Sequence, residues 1–174
     1  MWTKKCVREF DHIEAVARNG GRVVTLFSGG LDSFYLLWRL SRHPDLEVYA
    51  LSVGLGGDAE YTDGAAGAAR LGARHVLADH ATVFADEFVA PAIAAQASYL
   101  GMHPVSSSLS RPLLARAAVE LAGEIGARVV LHTANRSQNS LRRLNTSIAA
   151  LGFDGYFGSP YELERSAATT NGPR

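Results

Sequence analysis

Residues 27–33, Phe-Ser-Gly-Gly-Leu-Asp-Ser, form the segment best suited to bind phosphate. The segment follows an apolar, β-branched run over 22–27 that is typical of a buried strand, and it leads into an apolar helical pattern. Glycines at such a turn let backbone N–H groups approach an anion, and the positive end of the helix dipole faces the same place. The residues expected to contact phosphate here are Phe27, Ser28, Gly29, Gly30, Asp32 and Ser33.

Asp32 would repel a phosphate unless a cation lies between them. A carboxylate at this position is explained if it holds Mg²⁺ that bridges phosphates, which makes Asp32 the candidate metal ligand. No lysine follows the glycines, and the Gly-x-Gly-x-x-Gly spacing is absent, so two familiar phosphate loops are excluded. The alternative is a plain strand-to-helix turn with Asp32 near the helix start.

Strand and helix patterns alternate along the chain and must position this turn. Strands are predicted at 22–27, 47–53, 75–78 and 128–133, with a final edge strand at 156–157. Helices are predicted at 9–18, 32–42, 62–71, 82–100, 110–125 and 141–151, with a bend at Pro91 and a cap at Ser110. This order predicts an α/β fold, a doubly wound parallel sheet of about five strands with helices on both faces, which binds ligands at the carboxyl ends of its strands.

Length and composition limit the possible function. The 174 residues predict one domain over 1–165 and a flexible tail over 166–174. Seventeen Lys and Arg balance 17 Asp and Glu, so a protein-wide basic field for nucleic acid is excluded. The single cysteine, Cys6, cannot form an internal disulfide, and the apolar runs are far shorter than the roughly 18 residues of a membrane helix. We therefore expect a cytoplasmic protein without a membrane partner.

Several segments carry a family resemblance. Ser-Gly-Gly-Leu-Asp-Ser at a strand end resembles the signature of the N-type ATP pyrophosphatases. The segments 88–101, 104–116 and 126–132 are similar to argininosuccinate synthase, and the similarity covers nearly the whole chain but only the front, nucleotide-binding part of that family. The resemblance implies a Rossmann-like, HUP-type fold, the cofactors ATP and Mg²⁺, and cleavage of ATP to AMP and pyrophosphate.

The resemblance also implies roles for single residues. Val53 matches the adenine contact, His132 matches the histidine that ends the fourth strand, and Thr133 stands where the family has glycine. The implied substrate-binding residues are His103, Ser107, Ser108, Asn135, Asn139, Ser140 and Arg143. Arg111 begins the helix predicted at 110–125, where the dipole disfavours a cation, so Arg111 joins Asp32 and Ser28 as a candidate catalytic residue.

The substrate end departs from the family. His103 replaces a tyrosine, Asn135 a threonine, Ser140 an acid and Asn145 a glutamate, so the ATP end is kept while the acceptor end is altered. Arg136 and Arg142 add positive charge beside Arg143. These arginines either recognise a carboxylate or phosphate of a substrate, or they form a solvated helix face.

The leading hypothesis is an ATP-dependent ligase in which a carboxyl or ureido oxygen is adenylated and an amine displaces AMP. The resemblance does not extend to the family's second domain. We therefore expect a homo-oligomer, or a complex with a subunit that supplies it, docked on a surface that includes Met102, His103 and Phe153. The alternatives are an ATP-binding module without turnover and a tRNA-modifying enzyme of the same superfamily, which the zero net charge and the single cysteine disfavour.

Overall fold

Six parallel strands form the central sheet of the computed structural model, which describes residues 5–17, 21–56 and 62–163. The strands are β1 (Cys6–Val7), β2 (Gly21–Leu26), β3 (Leu46–Gly54), β4 (Arg74–Asp79), β7 (Val129–Leu131) and β8 (Tyr156–Gly158), in the spatial order β1-β8-β7-β2-β3-β4. A separate antiparallel pair joins β5 (Ser98–Tyr99) to β6 (His103–Pro104).

The helices of the described residues connect these strands. They are α1 (Phe10–Ala17), α2 (Leu31–Leu40), α3 (Thr62–Arg70), α4 (Ala81–Phe84), a π-helical segment (Ala85–Val89), α5 (Ala90–Ala94), α6 (Ser106–Ile125) and α7 (Asn139–Ala150). None of the helices in the described ranges combines the length and the apolar character needed to cross a membrane.

Alternate residues of the strands face two apolar clusters. Val23 of β2 packs in a cluster with α1, α2 and α3, whereas the next residue, Val24, packs in a second cluster with α6 and α7. The same alternation holds in β7, where Val129 and Leu131 face the first cluster and Val130 the second. The predicted doubly wound parallel sheet with helices on both faces is therefore confirmed.

The sheet has six strands instead of about five, because β1 joins its edge. β1 has only two residues, which pair with β8. Two residues are too few to show a periodic pattern in the sequence. As a result, the strand predicted at 156–157 is not at the edge: β8 lies between β1 and β7.

The long helix predicted at 82–100 is broken. It starts at Ala81, widens into the π-helical segment and ends at Ala94, because Gln96 and Leu100 take left-handed φ angles of 48° and 55°. The following helix starts at Ser106, four residues before the predicted Ser110. Ser110 therefore lies inside α6 and does not cap it.

The chain changes direction within the sheet between β2 and β7. From β2 it proceeds outward through β3 to β4, and it then crosses to the other side of β2 to form β7 and β8. At such a switch point the connections leave opposite sides of two neighbouring strands, and a crevice opens at their carboxyl ends. The predicted phosphate loop begins at this crevice.

Helix α3 supports the start of the loop. Gly64 and Gly67 give it a surface without side chains, against which Phe27 and Phe34 pack; a Cβ on Gly67 would overlap the Phe34 ring. The two phenyl rings meet edge to face, with centroids 5.1 Å apart. This contact holds Phe27, the first residue after β2 and the start of the loop.

Gly158 allows β1 to reach the sheet. Its φ is 138°, and a Cβ there would collide with the carbonyl oxygen of Val7. We expect Gly158→Ala to lower the free energy of unfolding by about 1–3 kcal/mol, measured by urea denaturation. Gly123→Ala is the control, since a Cβ in this part of α6 meets nothing within 4 Å; it should raise stability by about 0.5–1 kcal/mol. Unchanged stability of Gly158→Ala would contradict the close approach of β1.

Candidate nucleotide site

The loop after β2 combines a left-handed glycine with an extended one. Gly29 has a φ of 73°, whereas Gly30 has φ −81° and ψ 166° and precedes α2 as its N-cap without a side-chain cap bond. Ser33 is buried, and its hydroxyl donates to the Gly30 carbonyl (2.7 Å), which also accepts from the Phe34 N–H (3.1 Å). Ser33 thus stabilises the loop from inside, while Ser28, Gly29 and Gly30 are exposed.

Asp32 lies in the first turn of α2, and its side chain is exposed. Its carboxylate forms no ion pair with any residue that the structure describes, and its backbone carbonyl accepts a hydrogen bond from the Tyr161 hydroxyl (2.8 Å). A single carboxylate beside the predicted phosphate loop fits Mg²⁺, which takes one or two carboxylates and completes its shell with phosphate and water oxygens. Within the described ranges no cluster of three or more His, Cys, Asp or Glu provides an all-protein metal site.

A cavity of about 380 Å³ opens at the switch point. The ends of β2, β3 and β7 form its floor, and α6 and the start of α7 form one wall. Its lining residues are Leu26, Phe27, Ser28, Leu51, Val53, Leu55, Ser110, Arg111, Leu114, His132, Thr133, Ala134, Gln138, Ser140 and Leu144.

The cavity brings together seven of the residues that the sequence singled out. They are Phe27, Ser28, Val53, Arg111, His132, Thr133 and Ser140. Gly29, Gly30, Asp32 and Ser33 continue from Ser28 in the adjoining loop. Ser108, Asn135, Asn139 and Arg143 lie nearby on α6, the turn before α7, and α7, but outside the lining. The side chains of His103 and Ser107 lie outside the described part of the structure.

His132 directly follows β7 as a buried, neutral side chain with 1% exposure. Its Nδ1 accepts a hydrogen bond from the Ala134 N–H (3.3 Å), so Nε2–H donates to Asn145 Oδ1 (2.9 Å). Burial lowers the pKa of His132 to about 4, although the bond to Asn145 partly opposes this effect. His132 therefore presents an uncharged ring to the cavity.

A hydrogen-bonded chain across the sheet fixes the start of the loop. The Ser52 hydroxyl donates to the Phe27 carbonyl (2.9 Å), and the His75 Nε2 lies 2.9 Å from the same hydroxyl oxygen, to which it donates. Burial also lowers the pKa of His75. Sequence reasoning missed these two hydrogen bonds, because Ser52 is 25 positions from Phe27 and 23 from His75, and only the register of β2, β3 and β4 brings them together.

The turn before α7 is held by Asn135. Its Oδ1 accepts bonds from the backbone N–H (3.1 Å) and hydroxyl (2.6 Å) of Ser137. α7 then begins after Gln138 without a side-chain cap, and Gln138 and Ser140 border the cavity. Gln138 is a lining residue that sequence reasoning missed; its position just before a helix at the ligand-binding edge was the available signal.

Arg111 bridges α6 and α7 at the cavity wall. Its Nε donates to Ser140 Oγ (2.9 Å), and its Nη1 donates to Ser110 Oγ (2.7 Å). Burial and, to a smaller extent, the charge of Arg143 lower the pKa of the Arg111 guanidinium. The sequence predicted that Arg111 begins the helix. Because α6 starts at Ser106, Arg111 instead lies in its second turn.

The topology and the loop define an α/β protein of the nucleotide-binding, HUP type. An NH3-dependent NAD synthetase from Campylobacter jejuni matches with a TM-score of 0.58 and 18% identity over 90% of this chain and 65% of its own. A predicted subunit of tRNA methyltransferase from Methanocaldococcus jannaschii matches with a TM-score of 0.53 and 13% identity over 83% of this chain and 70% of its own. These two likenesses show the fold alone.

The family follows from the sequence comparisons. The family model of the argininosuccinate synthase N-terminal HUP domain matches residues 22–160, and the chain belongs to this family. Argininosuccinate synthases from Halalkalibacterium halodurans and Rubrobacter xylanophilus are 38% identical to it over 132 and 137 residues. The resemblance drawn from the motifs is therefore confirmed.

The chain spans about one third of the length of these relatives. The matches cover 75% and 78% of this chain but only 32% and 33% of the two synthases. For the synthase from Pyrobaculum aerophilum, which is 33% identical over 134 residues, the figures are 76% and 34%.

The buried His132 makes stability depend on pH. An unfolded histidine has a pKa near 6.5, so between about pH 6.5 and 4 the unfolded chain binds a proton that the folded protein excludes. The free energy of unfolding should therefore fall as the pH is lowered through this window, with about 2 kcal/mol lost to this residue at pH 5. Urea denaturation at pH 7 and pH 5 measures the loss.

The variant His132→Gln should show a smaller loss between pH 7 and pH 5. His43→Gln is the control, since it replaces a histidine that lies outside both apolar clusters. An equal loss in wild type and His132→Gln would mean that His132 titrates as it does in the unfolded chain.

Proposed function

We propose that this chain is the ATP-binding part of a ligase that cleaves ATP to AMP and pyrophosphate while joining an acceptor to an amine. The observation that supports this most is the loop over 28–33. It lies at the switch point of a parallel sheet, exposes Gly29 and Gly30, and opens beside a cavity of about 380 Å³. Membership of the argininosuccinate synthase N-terminal family supports the same reaction type.

The phosphates of ATP would lie on the loop. There the backbone N–H groups and the Ser28 hydroxyl would donate to phosphate oxygens, and the positive end of α2 would stabilise their charge. Gly30 allows the phosphates to approach, because a side chain at this exposed position would project into the space that they would occupy. The buried bonds of Ser33 and Ser52 to the loop carbonyls hold these donors in place before the ligand arrives.

The adenine would lie against the apolar end of β3. Leu51, Val53 and Leu55 border the cavity there, and Leu26 and Leu114 extend the apolar surface. Neutral His132 and Thr133 lie at the end of β7, where an uncharged ring avoids placing a desolvated cation beside the base.

Asp32 would hold Mg²⁺ against the phosphates, and the ion would neutralise charge on the departing pyrophosphate. Asp32 would orient the ion and its oxygen ligands, because its carboxylate is exposed beside the loop. Asp32, Ser28 and Arg111 are the proposed catalytic residues.

In the proposed reaction an oxygen of a carboxyl or ureido group attacks the α-phosphorus of ATP. The bond to the bridging oxygen breaks and pyrophosphate leaves with its electron pair. An amine then attacks the activated carbon, AMP departs, and the amine loses a proton to solvent. No side chain forms a covalent bond; the residues bind, orient and exclude water. Ser108, Asn135, Asn139, Ser140 and Arg143 would hold the acceptor and amine, together with His103 and Ser107.

A partner surface would complete the pocket, as a second copy of this chain or as a distinct subunit. The observation that supports it is that the β5–β6 pair exposes Leu100 (73%) and Met102 (77%) to solvent. Phe153 is half-buried against the second apolar cluster and contributes less to such a surface than the sequence suggested.

The altered substrate end, where His103, Asn135 and Ser140 depart from the family, supports a second candidate function, an ATP-binding module without turnover. The two functions differ in pyrophosphate release. ATP binding without pyrophosphate release, for the chain alone and with candidate partner subunits and acceptors, would favour the module.

The loop assignment predicts that Gly30→Val blocks nucleotide binding. At φ −81° the fold accepts any residue here, and a Cβ would meet only Ser28 Oγ at 3.5 Å, so the variant should fold normally. Its isopropyl group would occupy the space of a phosphate, and we expect ATP affinity to fall at least about ten-fold in calorimetric titration. Gly123→Val adds the same side chain on α6 and should bind ATP as wild type does. Unchanged affinity of Gly30→Val would refute the loop assignment.

The metal assignment predicts that Asp32→Asn abolishes Mg²⁺-dependent release of pyrophosphate. The amide keeps the shape of the side chain but removes the charge that would bind the cation. ATP affinity without Mg²⁺ should rise or stay the same, because a carboxylate near the phosphates is lost. The control is Asp86→Asn, which removes an exposed carboxylate from the π-helical segment. Turnover of Asp32→Asn at the wild-type rate would contradict the assignment.

A further inference from the structure

The first turn of α2 begins without a side-chain cap. Gly30 is its N-cap residue and forms no side-chain cap bond. A capping side chain stabilises a helix start by accepting hydrogen bonds from its first N–H groups. Under the proposed function the same N–H groups are needed by phosphate. A turn that keeps these donors available therefore needs stabilising contacts of another kind.

Two hydroxyl groups supply such contacts, because both bind carbonyl oxygens of the turn and leave its N–H groups available. The Ser33 hydroxyl donates to the Gly30 carbonyl (2.7 Å). The Tyr161 hydroxyl donates to the Asp32 carbonyl (2.8 Å), although the two residues are 129 positions apart. The Ser33 bond is local to α2, whereas the Tyr161 bond ties the turn to a distant part of the chain.

The segment that carries Tyr161, residues 159–163 after β8, is held on both sides. The Tyr161 N–H donates to Ser159 Oγ (3.2 Å), and Ser159 is fully buried. Glu162 forms an ion pair with Arg8 (2.8 Å), and the Leu163 N–H donates to the Arg8 carbonyl (2.9 Å). The Tyr161 hydroxyl therefore reaches α2 from a segment that is anchored to the edge of the sheet.

The Tyr161 ring is positioned by packing. It meets Phe10 edge to face, with centroids 5.1 Å apart and planes at 82°, and its centroid lies 6.5 Å from that of Tyr35 on α2. The ring also packs against the first apolar cluster. Since these contacts belong to the ring, removal of the hydroxyl alone takes away the bond to α2 and keeps the packing.

We propose that Tyr161 is a positioning residue for the turn that would bind Mg²⁺ and phosphate. Its hydroxyl holds the backbone of Asp32, so that the carboxylate and the first N–H groups of α2 keep one orientation before the ligand arrives. The bond uses the Asp32 carbonyl and leaves the carboxylate available for the cation. The inference rests on the proposed function, since it assigns a residue from outside the cavity lining to the same site.

The variant Tyr161→Phe tests the proposal on the full chain. The probe is α,β-methylene-ATP, which cannot be cleaved at the reacting bond, titrated by calorimetry with and without Mg²⁺. With Mg²⁺ the affinity should fall about three- to ten-fold, as expected for the loss of one hydrogen bond. Without Mg²⁺ the loss should be smaller, because Asp32 then has no cation to hold.

Tyr35→Phe is the matched control. It removes a tyrosine hydroxyl from the neighbouring ring, and this hydroxyl forms no hydrogen bond with any residue that the structure describes. Its affinity for α,β-methylene-ATP should equal that of wild type with and without Mg²⁺.

Hydrogen exchange separates positioning from a general loss of stability. The Phe34 N–H donates to the Gly30 carbonyl (3.1 Å), so its exchange reports opening of the first turn. In Tyr161→Phe this exchange should be about three- to ten-fold faster, whereas that of Leu40 at the other end of α2 should be unchanged. A variant that is destabilised as a whole would exchange faster at both positions.

Three outcomes would overturn the proposal. They are wild-type affinity of Tyr161→Phe in the presence of Mg²⁺, an equal loss of affinity in Tyr35→Phe, and equally faster exchange at Phe34 and Leu40. Failure of the proposed function gives a different result, because wild type itself would then not bind α,β-methylene-ATP. In that case the exchange of Phe34 in Tyr161→Phe still decides whether the hydroxyl holds the turn.

Discussion

The adjacency of β2 and β7 is the constraint on which the rest of the structure depends. The two strands are parallel neighbours, yet the chain leaves β2 toward one side of the sheet and β7 toward the other. Their carboxyl ends therefore open into a shared crevice. Every element of the candidate site is placed by this arrangement: the loop follows β2, His132 and Thr133 follow β7, and α6 and α7 close the wall on one face.

The site separates its charges. Asp32 provides a carboxylate beside the loop, Arg111 provides a cation on the wall formed by α6 and α7, and the ends of β2, β3 and β7 between them are apolar or neutral. Neutral His132 belongs to this pattern, because its buried bonds to Ala134 and Asn145 hold it in one tautomer. This distribution is compatible with the proposed nucleotide, whose negative phosphates and uncharged base differ in charge in the same way.

The sequence predicted the parts that local patterns determine. The loop over 27–33 and the alternation of strands and helices depend on residues close together in the chain, and both agree with the structure. Strand β1 was missed because two residues carry no periodicity, and the end of α5 was missed because Gln96 and Leu100 adopt left-handed angles that their types do not favour. The pairs Ser52 with Phe27 and Arg111 with Ser140 join residues 25 and 29 positions apart, so only the folded register defines them.

The pairing of β1 with β8 has a consequence for the order of folding. In this pairing Cys6 lies opposite Phe157 and Val7 lies opposite Gly158. The Arg8–Glu162 ion pair (2.8 Å) reinforces the contact at the same edge. During synthesis on the ribosome, the first strand must therefore wait until almost all of the described chain has emerged. The four strands β2, β3, β4 and β7 can assemble earlier, so the nucleotide crevice can form before the edge of the sheet is closed.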